Sequence, residues 1–161
     1  MTTGIRVCCV CLGNICRSPT AESVLAHLVT EAGLEEAIEV DSAGTSAWHV
    51  GERPDARSNA AARRHGIPLR GHSRQFRVED FQRFDYVVAM DRANLRDLLN
   101  LAPDDSARAR VSLLRSHDPE ADGQDVPDPY YGAGDGFERV FQICLAGSRG
   151  LLAEIRQTHD L

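Results

Sequence analysis

The chain has 161 residues, close to the usual size of one domain, and we expect residues 1–161 to form a single domain around one core. Its 18 basic side chains are all arginine, which excludes chemistry that needs a lysine amine, such as Schiff-base catalysis. The formal net charge of −6 argues against nucleic-acid binding. No apolar run is long enough to span a membrane and no signal peptide is visible, so a cytoplasmic protein is predicted.

Predicted strands alternate with predicted helices along the chain. Ile5–Cys11 is a nearly continuous apolar run, typical of a strand covered on both faces. The pattern predicts three further strands, at Ile38–Ala43, Tyr86–Met90 and Val111–Leu114. It predicts helices at Pro19–Ala32 with Ser18 as the N-cap, and at Ser58–His65, Val78–Phe84, Arg92–Leu99 and Phe137–Ile155. The alternation predicts a parallel α/β sheet with helices on both faces. The connections at 44–57, 66–77 and 115–136 are long, as is typical of functional or disordered loops.

Cysteine is concentrated at the start of the chain. Four of the five cysteines are Cys8, Cys9, Cys11 and Cys16, and the fifth is Cys144. An odd count without a signal peptide argues against a secreted disulfide framework. A zinc site would need a second pair of ligands at suitable spacing, and neither Cys144 nor the six histidines supply one. We therefore predict no metal site.

The loop after the first strand has the pattern Cys-x5-Arg, from Cys11 to Arg17. Ligand sites of open α/β sheets lie beyond the carboxyl ends of the strands. Successive backbone N–H groups in a turn that opens a helix form an anion-binding site, and Gly13 and Asn14 tolerate unusual backbone angles there. We expect the phosphate-binding residues to be those that follow Cys11, namely Leu12, Gly13, Asn14, Ile15, Cys16, Arg17 and Ser18.

The two ends of this loop carry chemistry. Arg17 presents a planar fork for bidentate contact with two oxygens of a tetrahedral oxyanion. Cys11, which faces the amides and the guanidinium, is expected to favour its thiolate form. A thiolate beneath a bound phosphate is a nucleophile aimed at phosphorus.

The sequence resembles the low-molecular-weight protein tyrosine phosphatases. The resemblance rests on CLGNICRSPTAE at 11–22, DSAGT at 41–45, Trp48-His49 and DPYYG at 128–132, which occur in the family's order over most of the chain. It implies a single-domain, flavodoxin-like α/β sandwich with a four-stranded parallel sheet. It also implies hydrolysis of phosphotyrosine and small aryl phosphates through a cysteinyl-phosphate intermediate, without a cofactor.

The resemblance assigns catalytic roles to four residues. Cys11 would be the nucleophile, Arg17 the phosphate clamp and Asp128 the acid that protonates the leaving phenolate. Ser18 would donate a hydrogen bond to the cysteine sulfur. Asp125, three residues before Asp128, is the alternative acid.

Further residues match supporting positions of the family. The resemblance implies a substrate-binding rim made by Trp48, His49, Tyr130 and Tyr131, with Leu12 and Ile15 on the same wall. It also implies that Asn14, Ser42 and His72 hold the loop in shape through mutual hydrogen bonds. Glu22 either joins this network through His72 or is a solvated helix residue. Cys16 would be a redox partner that forms a reversible disulfide with Cys11.

Two alternative functions share this loop. A thioredoxin-linked arsenate reductase would need two further cysteines on a mobile segment, and beyond residue 16 the chain has only Cys144. A non-catalytic phosphotyrosine-binding module or redox switch would not need Cys11, Arg17 and Asp128 together. The predicted partners are phosphotyrosine-containing proteins, with a cognate tyrosine kinase as a further candidate and the oligomeric state left open.

Overall fold

Four strands form one parallel sheet. The structure is a computed structural model that describes residues 4–130 and 135–161. The strands are β1 (Ile5–Cys11), β2 (Ile38–Gly44), β3 (Tyr86–Ala89) and β4 (Val111–Leu113), in the order β2-β1-β3-β4 with every neighbouring pair parallel. The predicted four-stranded parallel sheet is confirmed, and no strand differs from its predicted bounds by more than one residue.

The five predicted helices are all present, with shifted ends. The helices of the described residues are α1 (Arg17–Glu31), α2 (Ala56–Arg63), α3 (Asp80–Arg83), α4 (Arg92–Leu101), α5 (Asp105–Arg108) and α6 (Gly136–His159), with a 3₁₀ helix at Leu114–His117. The sequence analysis missed α5 and the 3₁₀ helix because four residues are too few to show a helical apolar pattern. None of the helices described has the length and apolar character that crossing a membrane requires.

The sheet is covered on both faces, as the apolar run of β1 predicts. Successive side chains of a strand point to opposite faces. Val7, Cys9 and Cys11 pack in one core cluster with α1 and α6. Cys8 and Val10 pack in the other with α3, α4 and α5. The two clusters hold β1 rigidly in the centre of the sheet and fix the position of its last residue, Cys11.

The start of α1 differs from the prediction. The helix begins at Arg17, Cys16 occupies the N-cap position, and no side chain caps the first turn, so the assignment of Ser18 as N-cap is wrong. The Ser18 hydroxyl hydrogen-bonds Cys11 and Asn14 instead. The uncapped first turn leaves its backbone N–H groups available to a ligand at the end of β1.

The end of β2 packs tightly against the loop that follows β1. A Cβ at Gly44 would lie 2.8 Å from the Leu12 carbonyl oxygen and 3.2 Å from the Asn14 Cβ. Any larger residue at position 44 would push this loop out of place. Glycine here lets the connection after β2 begin directly beside the connection after β1.

Close packing of α6 against the 3₁₀ helix gives a stability prediction. A Cβ at Gly150 would overlap the His117 carbonyl oxygen, a backbone atom that cannot rotate away. We therefore expect Gly150→Ala to lower the free energy of unfolding by about 1–3 kcal/mol, measured by urea denaturation. Gly136→Ala is the matched control, because its nearest neighbour would be Pro129 Cβ at an ordinary 3.7 Å. Equal unfolding midpoints for the two variants would contradict the packing argument.

Candidate active site

The loop between β1 and α1 has its carbonyl groups turned outward. The Cys11 carbonyl accepts from the Thr45 N–H at 2.8 Å, and the Leu12 carbonyl accepts from the Ser46 N–H at 3.0 Å. Three further carbonyls accept in the same way, Gly13 from Ser73 Oγ, Ile15 from the Asp55 N–H and Cys16 from Thr20 Oγ1. Five carbonyls of the loop are thus held by neighbouring segments.

The N–H groups of the same loop are left for the cleft. The Asn14 N–H donates to Cys11 Sγ at 3.3 Å. In the part of the chain that the structure describes, no protein acceptor is within hydrogen-bond reach of the N–H groups of Leu12, Gly13, Ile15, Cys16, Arg17 and Ser18. Such N–H groups at the positive end of a helix form a site for a tetrahedral anion.

Cys11 lies at the floor of this site. Its side chain is almost fully buried, and its Sγ is 3.1 Å from Ser18 Oγ. The Asn14 N–H also points at the sulfur. Two groups are therefore placed to donate hydrogen bonds to the Cys11 sulfur.

Two residues shape the backbone of the loop, in different ways. Asn14 has a φ of 57°, the left-handed conformation that asparagine tolerates better than most residues. Gly13 has no positive φ, so its expected role in a special backbone conformation is wrong. A Cβ at Gly13 would lie 2.9 Å from His49 Cδ2, so the His49 side chain would have to shift.

A buried hydrogen-bond network supports the loop from behind. Asn14 Nδ2 donates to Ser18 Oγ at 2.8 Å and to Ser42 Oγ at 2.9 Å. The Ser42 hydroxyl donates to Glu22 Oε1 at 2.5 Å, and Arg70 Nε donates to Glu22 Oε2 at 2.8 Å. The structure thus brings Asn14 and Ser42 together and joins Glu22 to them. Burial raises the pKa of Glu22, while the hydrogen bonds from Ser42 and Arg70 lower it by less.

His72 does not belong to this network, contrary to the prediction. Its side chain is exposed, and over the described residues it has no hydrogen bond to Asn14 or Ser42. The residues on either side of it take these contacts: Arg70 reaches Glu22, and the Arg74 N–H donates to Asn14 Oδ1 at 3.0 Å. Nothing in the sequence distinguishes Arg70 from the other arginines, so it was missed.

Arg17 is held rigidly although it is charged and buried. Its Nη1 donates to Asp91 Oδ2 at 2.6 Å and to the Val126 carbonyl at 3.0 Å, and its Nη2 lies 3.6 Å from Asp128 Oδ2. Burial alone would lower the pKa of Arg17, but the Cys11 sulfur and the carboxyls of Asp91 and Asp128 raise it above its ordinary value. The guanidinium therefore stays charged and fixed beside the loop.

Asp91 was missed by the sequence analysis, although a signal for it exists. It directly follows the third predicted strand, at the edge of the sheet where ligand sites occur. It is also the N-cap of α4, where its Oδ1 accepts from the Asn94 N–H at 2.7 Å. One carboxylate thus starts a helix and holds the guanidinium of Arg17.

The two candidate acids have different surroundings. Asp128 lines the cleft with its side chain 43% exposed, and its Oδ1 accepts from the Tyr130 N–H at 3.0 Å. Asp125 is paired with Arg92 at 3.1 Å, and the hydrogen bond from Arg92 lowers the pKa of Asp125. Asp128 therefore faces a ligand in the cleft, with Arg17 Nη2 at 3.6 Å, whereas Asp125 is engaged with Arg92.

The predicted rim surrounds the opening of the cleft. The cleft is lined by Cys11, Leu12, Gly13, Ile15, Cys16, Arg17, Trp48, His49, Asp128 and Tyr130. Trp48 is 75% exposed, and the rings of His49 and Tyr130 have their centroids 6.0 Å apart. Tyr131, also predicted for the rim, lies outside the described residues. An aryl group above a bound anion would contact these rings.

All five cysteines are buried and free. Burial raises the pKa of Cys16 to about 12, although Cys16 lines the cleft together with Cys11. Burial likewise raises the pKa of Cys8, Cys9 and Cys144. Among the described residues there is no group of three histidine, cysteine or acidic side chains that could hold a metal ion.

Comparison with known proteins gives one consistent result. A family model described as low molecular weight phosphotyrosine protein phosphatase matches residues 6–160. A low molecular weight protein-tyrosine-phosphatase of Streptomyces coelicolor is 51% identical over 154 residues, which cover 94% of each chain. The low molecular weight phosphotyrosine protein phosphatase of Homo sapiens is 45% identical over 144 residues, covering 89% of this chain and 90% of that one.

A solved structure also superimposes closely on this fold. It is a protein tyrosine phosphatase from Entamoeba histolytica with Hepes in its active site. It matches with a TM-score of 0.93 at 33% identity and covers 97% of this chain and 99% of its own.

The thiol environments predict selective alkylation. At pH 7 a thiol with a pKa of about 12 is thiolate in about one molecule in 10⁵, so Cys16 should be almost inert. Cys11 lines the cleft, and two groups are placed to donate hydrogen bonds to its sulfur. We expect iodoacetamide at pH 7 to add one group per chain, and peptide mass spectrometry to locate that group on Cys11. Inorganic phosphate at 10 mM should slow the labelling. Labelling of Cys16 at a similar rate would contradict this, and Cys11→Ser is the control.

Proposed function

The chain belongs to the low molecular weight phosphotyrosine protein phosphatase family and is a protein tyrosine phosphatase, and we propose that Cys11, Arg17 and Asp128 carry out its reaction in the cleft described above. One observation carries the assignment. A nucleophilic sulfur, a buried guanidinium and an acidic side chain line the same small cleft, whose floor is made of unpaired backbone N–H groups. Its substrates are phosphotyrosine in proteins and small aryl phosphates.

Binding of the phosphate dianion uses the loop and Arg17. The N–H groups of residues 12, 13 and 15–18 donate to the phosphate oxygens, and the Arg17 guanidinium donates to two of these oxygens in a bidentate contact. The contacts to Asp91 and Val126 hold the guanidinium in position before the ligand arrives. Because these donors are preorganised, they stabilise the charge that shifts onto the equatorial oxygens in the transition state.

The first chemical step transfers the phosphoryl group to the enzyme. The Cys11 thiolate attacks phosphorus in line with the ester oxygen, so that a sulfur–phosphorus bond forms as the phosphorus–oxygen bond breaks. Asp128 donates its proton to the departing tyrosine oxygen, which leaves as a neutral phenol. The products of this step are the free tyrosine and a cysteinyl-phosphate with Asp128 as carboxylate.

The second step returns the enzyme to its starting state. The Asp128 carboxylate takes a proton from a water molecule, whose oxygen attacks phosphorus and displaces the Cys11 thiolate. Ser18, 3.1 Å from the sulfur, donates a hydrogen bond to the thiolate as it leaves. Inorganic phosphate departs, and Asp128 is again protonated.

The rim supports an aryl substrate. The exposed ring of Trp48 and the ring of Tyr130 stand at the mouth of a cleft whose nucleophile is almost fully buried. A phenyl ring between them would allow its phosphate to reach Cys11. The shorter side chain of phosphoserine would leave the phosphate too far from the sulfur. Tyr131 is proposed for the same rim from its position in the sequence.

The arsenate reductase alternative finds no support in the described residues. Its relay needs cysteines on a mobile segment, but Cys144 is fully buried within α6. We also propose that residues 1–161 act as one domain, that Cys16 is the redox partner of Cys11, and that the protein acts in the cytoplasm on substrates of a cognate tyrosine kinase. The family match over residues 6–160 supports the first of these proposals.

The assignment of Cys11 as the nucleophile predicts a catalytically inactive but folded variant. Cys11→Ser should lose all measurable hydrolysis of p-nitrophenyl phosphate, because a neutral hydroxyl is a poor nucleophile toward phosphorus, while the thermal midpoint changes little. The wild-type enzyme should be active in EDTA and competitively inhibited by phosphate or vanadate. Cys144→Ser is the matched control and should remain active. Hydrolysis by Cys11→Ser at more than about a hundredth of the wild-type rate would refute the assignment.

The acid assignment predicts a dependence on the leaving group. Asp128→Ala should lower kcat for phosphotyrosine by about 10²–10⁴-fold. The loss should be smaller for p-nitrophenyl phosphate, because nitrophenolate leaves without being protonated. Asp125→Asn, the control, should retain wild-type kcat because its carboxyl is paired with Arg92 outside the cleft. If Asp125→Asn showed the larger loss, the two roles would have to be exchanged.

A further inference from the structure

A second groove adjoins the catalytic cleft. One rim segment separates them: Trp48 and His49 line the cleft, whereas Ala47 and Val50 line the groove. The groove encloses about 560 Å³ and its other lining residues are Arg74, Gln75, Arg77, Glu79, Asp80 and Arg83. Adjacent residues of one loop therefore face the two spaces, and a substrate chain that crosses this rim segment would reach the groove.

The floor of the groove is connected to the phosphate-binding loop. The Ser73 hydroxyl donates to the Gly13 carbonyl at 3.0 Å, and the Arg74 N–H donates to Asn14 Oδ1 at 3.0 Å. The same segment is bound to the rim, since the Gly51 N–H donates to the Ser73 carbonyl at 2.8 Å. The groove is therefore held in a fixed position relative to the phosphate-binding loop.

The arginines of the groove differ in how far they are neutralised. Arg74 is paired with Asp80 at 3.0 Å and with Asp41 at 3.4 Å. Arg77 is exposed, and its guanidinium has no ion pair among the described residues. Arg83 is 65% exposed and its nearest carboxyl, that of Asp80, is 3.9 Å away. The guanidinium groups of Arg77 and Arg83 therefore face solvent. Among the described carboxyls that line the groove, only that of Glu79 is not already paired.

We propose that this groove binds acidic residues that flank the phosphotyrosine of protein substrates, and that Arg77 and Arg83 are its specificity-determining residues. The inference rests on the proposed function, because it extends the binding of the same substrate. The charge of the groove is complementary to an acidic peptide, although the chain as a whole has a net charge of −6. The exposed Val50 side chain adds an apolar contact for the same segment.

The position of the groove predicts a preference for acidic residues on one side of the phosphotyrosine only. On the opposite side the cleft ends at Asp128 and Tyr130, and the guanidinium that lies over the Tyr130 ring, that of Arg57, is paired with Asp55 at 3.0 Å. An acidic residue directed that way therefore meets an arginine that is already paired with a carboxylate. Substrates with acidic residues on one side of the phosphotyrosine, and not on the other, should therefore be favoured.

Peptide kinetics test this directly. Four phosphotyrosine peptides of one sequence carry Asp-Asp or Asn-Asn two and three residues from the phosphotyrosine, on its amino or its carboxyl side. For the wild-type enzyme we expect kcat/KM to favour Asp-Asp by about three- to tenfold on one side only, and the preference to shrink in 0.5 M NaCl. The double variant Arg77→Glu/Arg83→Glu should lose or reverse it. Glu79→Gln should increase it, because the opposing charge is removed.

The controls separate this inference from the proposed function. Arg149→Glu makes the same type of charge change on α6, against the opposite face of the sheet, and should keep the wild-type preference. Every variant should hydrolyse p-nitrophenyl phosphate within about twofold of wild type, since this substrate does not reach the groove. Equal use of Asp-Asp and Asn-Asn peptides by an active wild-type enzyme, or an unchanged preference in the double variant, would overturn the role of the groove alone. No hydrolysis of p-nitrophenyl phosphate by the wild type would overturn both proposals.

Discussion

The site depends on the outward direction of the carbonyl groups in the loop after β1. A short loop cannot turn its N–H groups to one centre unless its carbonyls are satisfied on the other side. Here the donors come from the segments after β2, from Ser73 and from the first turn of α1. The parallel sheet brings these segments to one edge, so the fold itself supplies what the anion site requires. Gly44 is needed because the segments then pack too closely for a Cβ.

The second constraint is the burial of a charge. Removing a guanidinium from water costs several kcal/mol unless other groups replace its solvation. Asp91, the Val126 carbonyl and Asp128 provide this replacement for Arg17, and they approach from two separate parts of the chain. The planar guanidinium is essential, because the protein holds its Nη1 while its other N–H groups remain for two phosphate oxygens. A lysine, with one compact ammonium group, would lose this division of contacts.

The sequence predicted what is encoded locally and missed what depends on distant contacts. The strands have short apolar runs, and Cys11 and Arg17 lie in one loop, so the sheet and the centre of the site were identified. Ser18 could cap a helix or bind a sulfur, and only the position of Cys11 decides between these uses. The orientation of His72 depends on which side of its segment faces Asn14. Asp91 lies 74 residues from Arg17, and its contact with Arg17 requires the strand order to be known.

The net charge of the chain and the charge of its ligand have the same sign, and the structure explains why this is no contradiction. Exposed charges interact through water and are screened within about 8–10 Å at physiological ionic strength. Many exposed arginines are also paired with carboxylates, as Arg57 is with Asp55 and Arg92 with Asp125. The loop amides and Arg17 act instead at contact distance and away from solvent, where each interaction is stronger. The overall charge therefore affects how often an anionic substrate arrives, whereas a few fixed donors determine whether it stays.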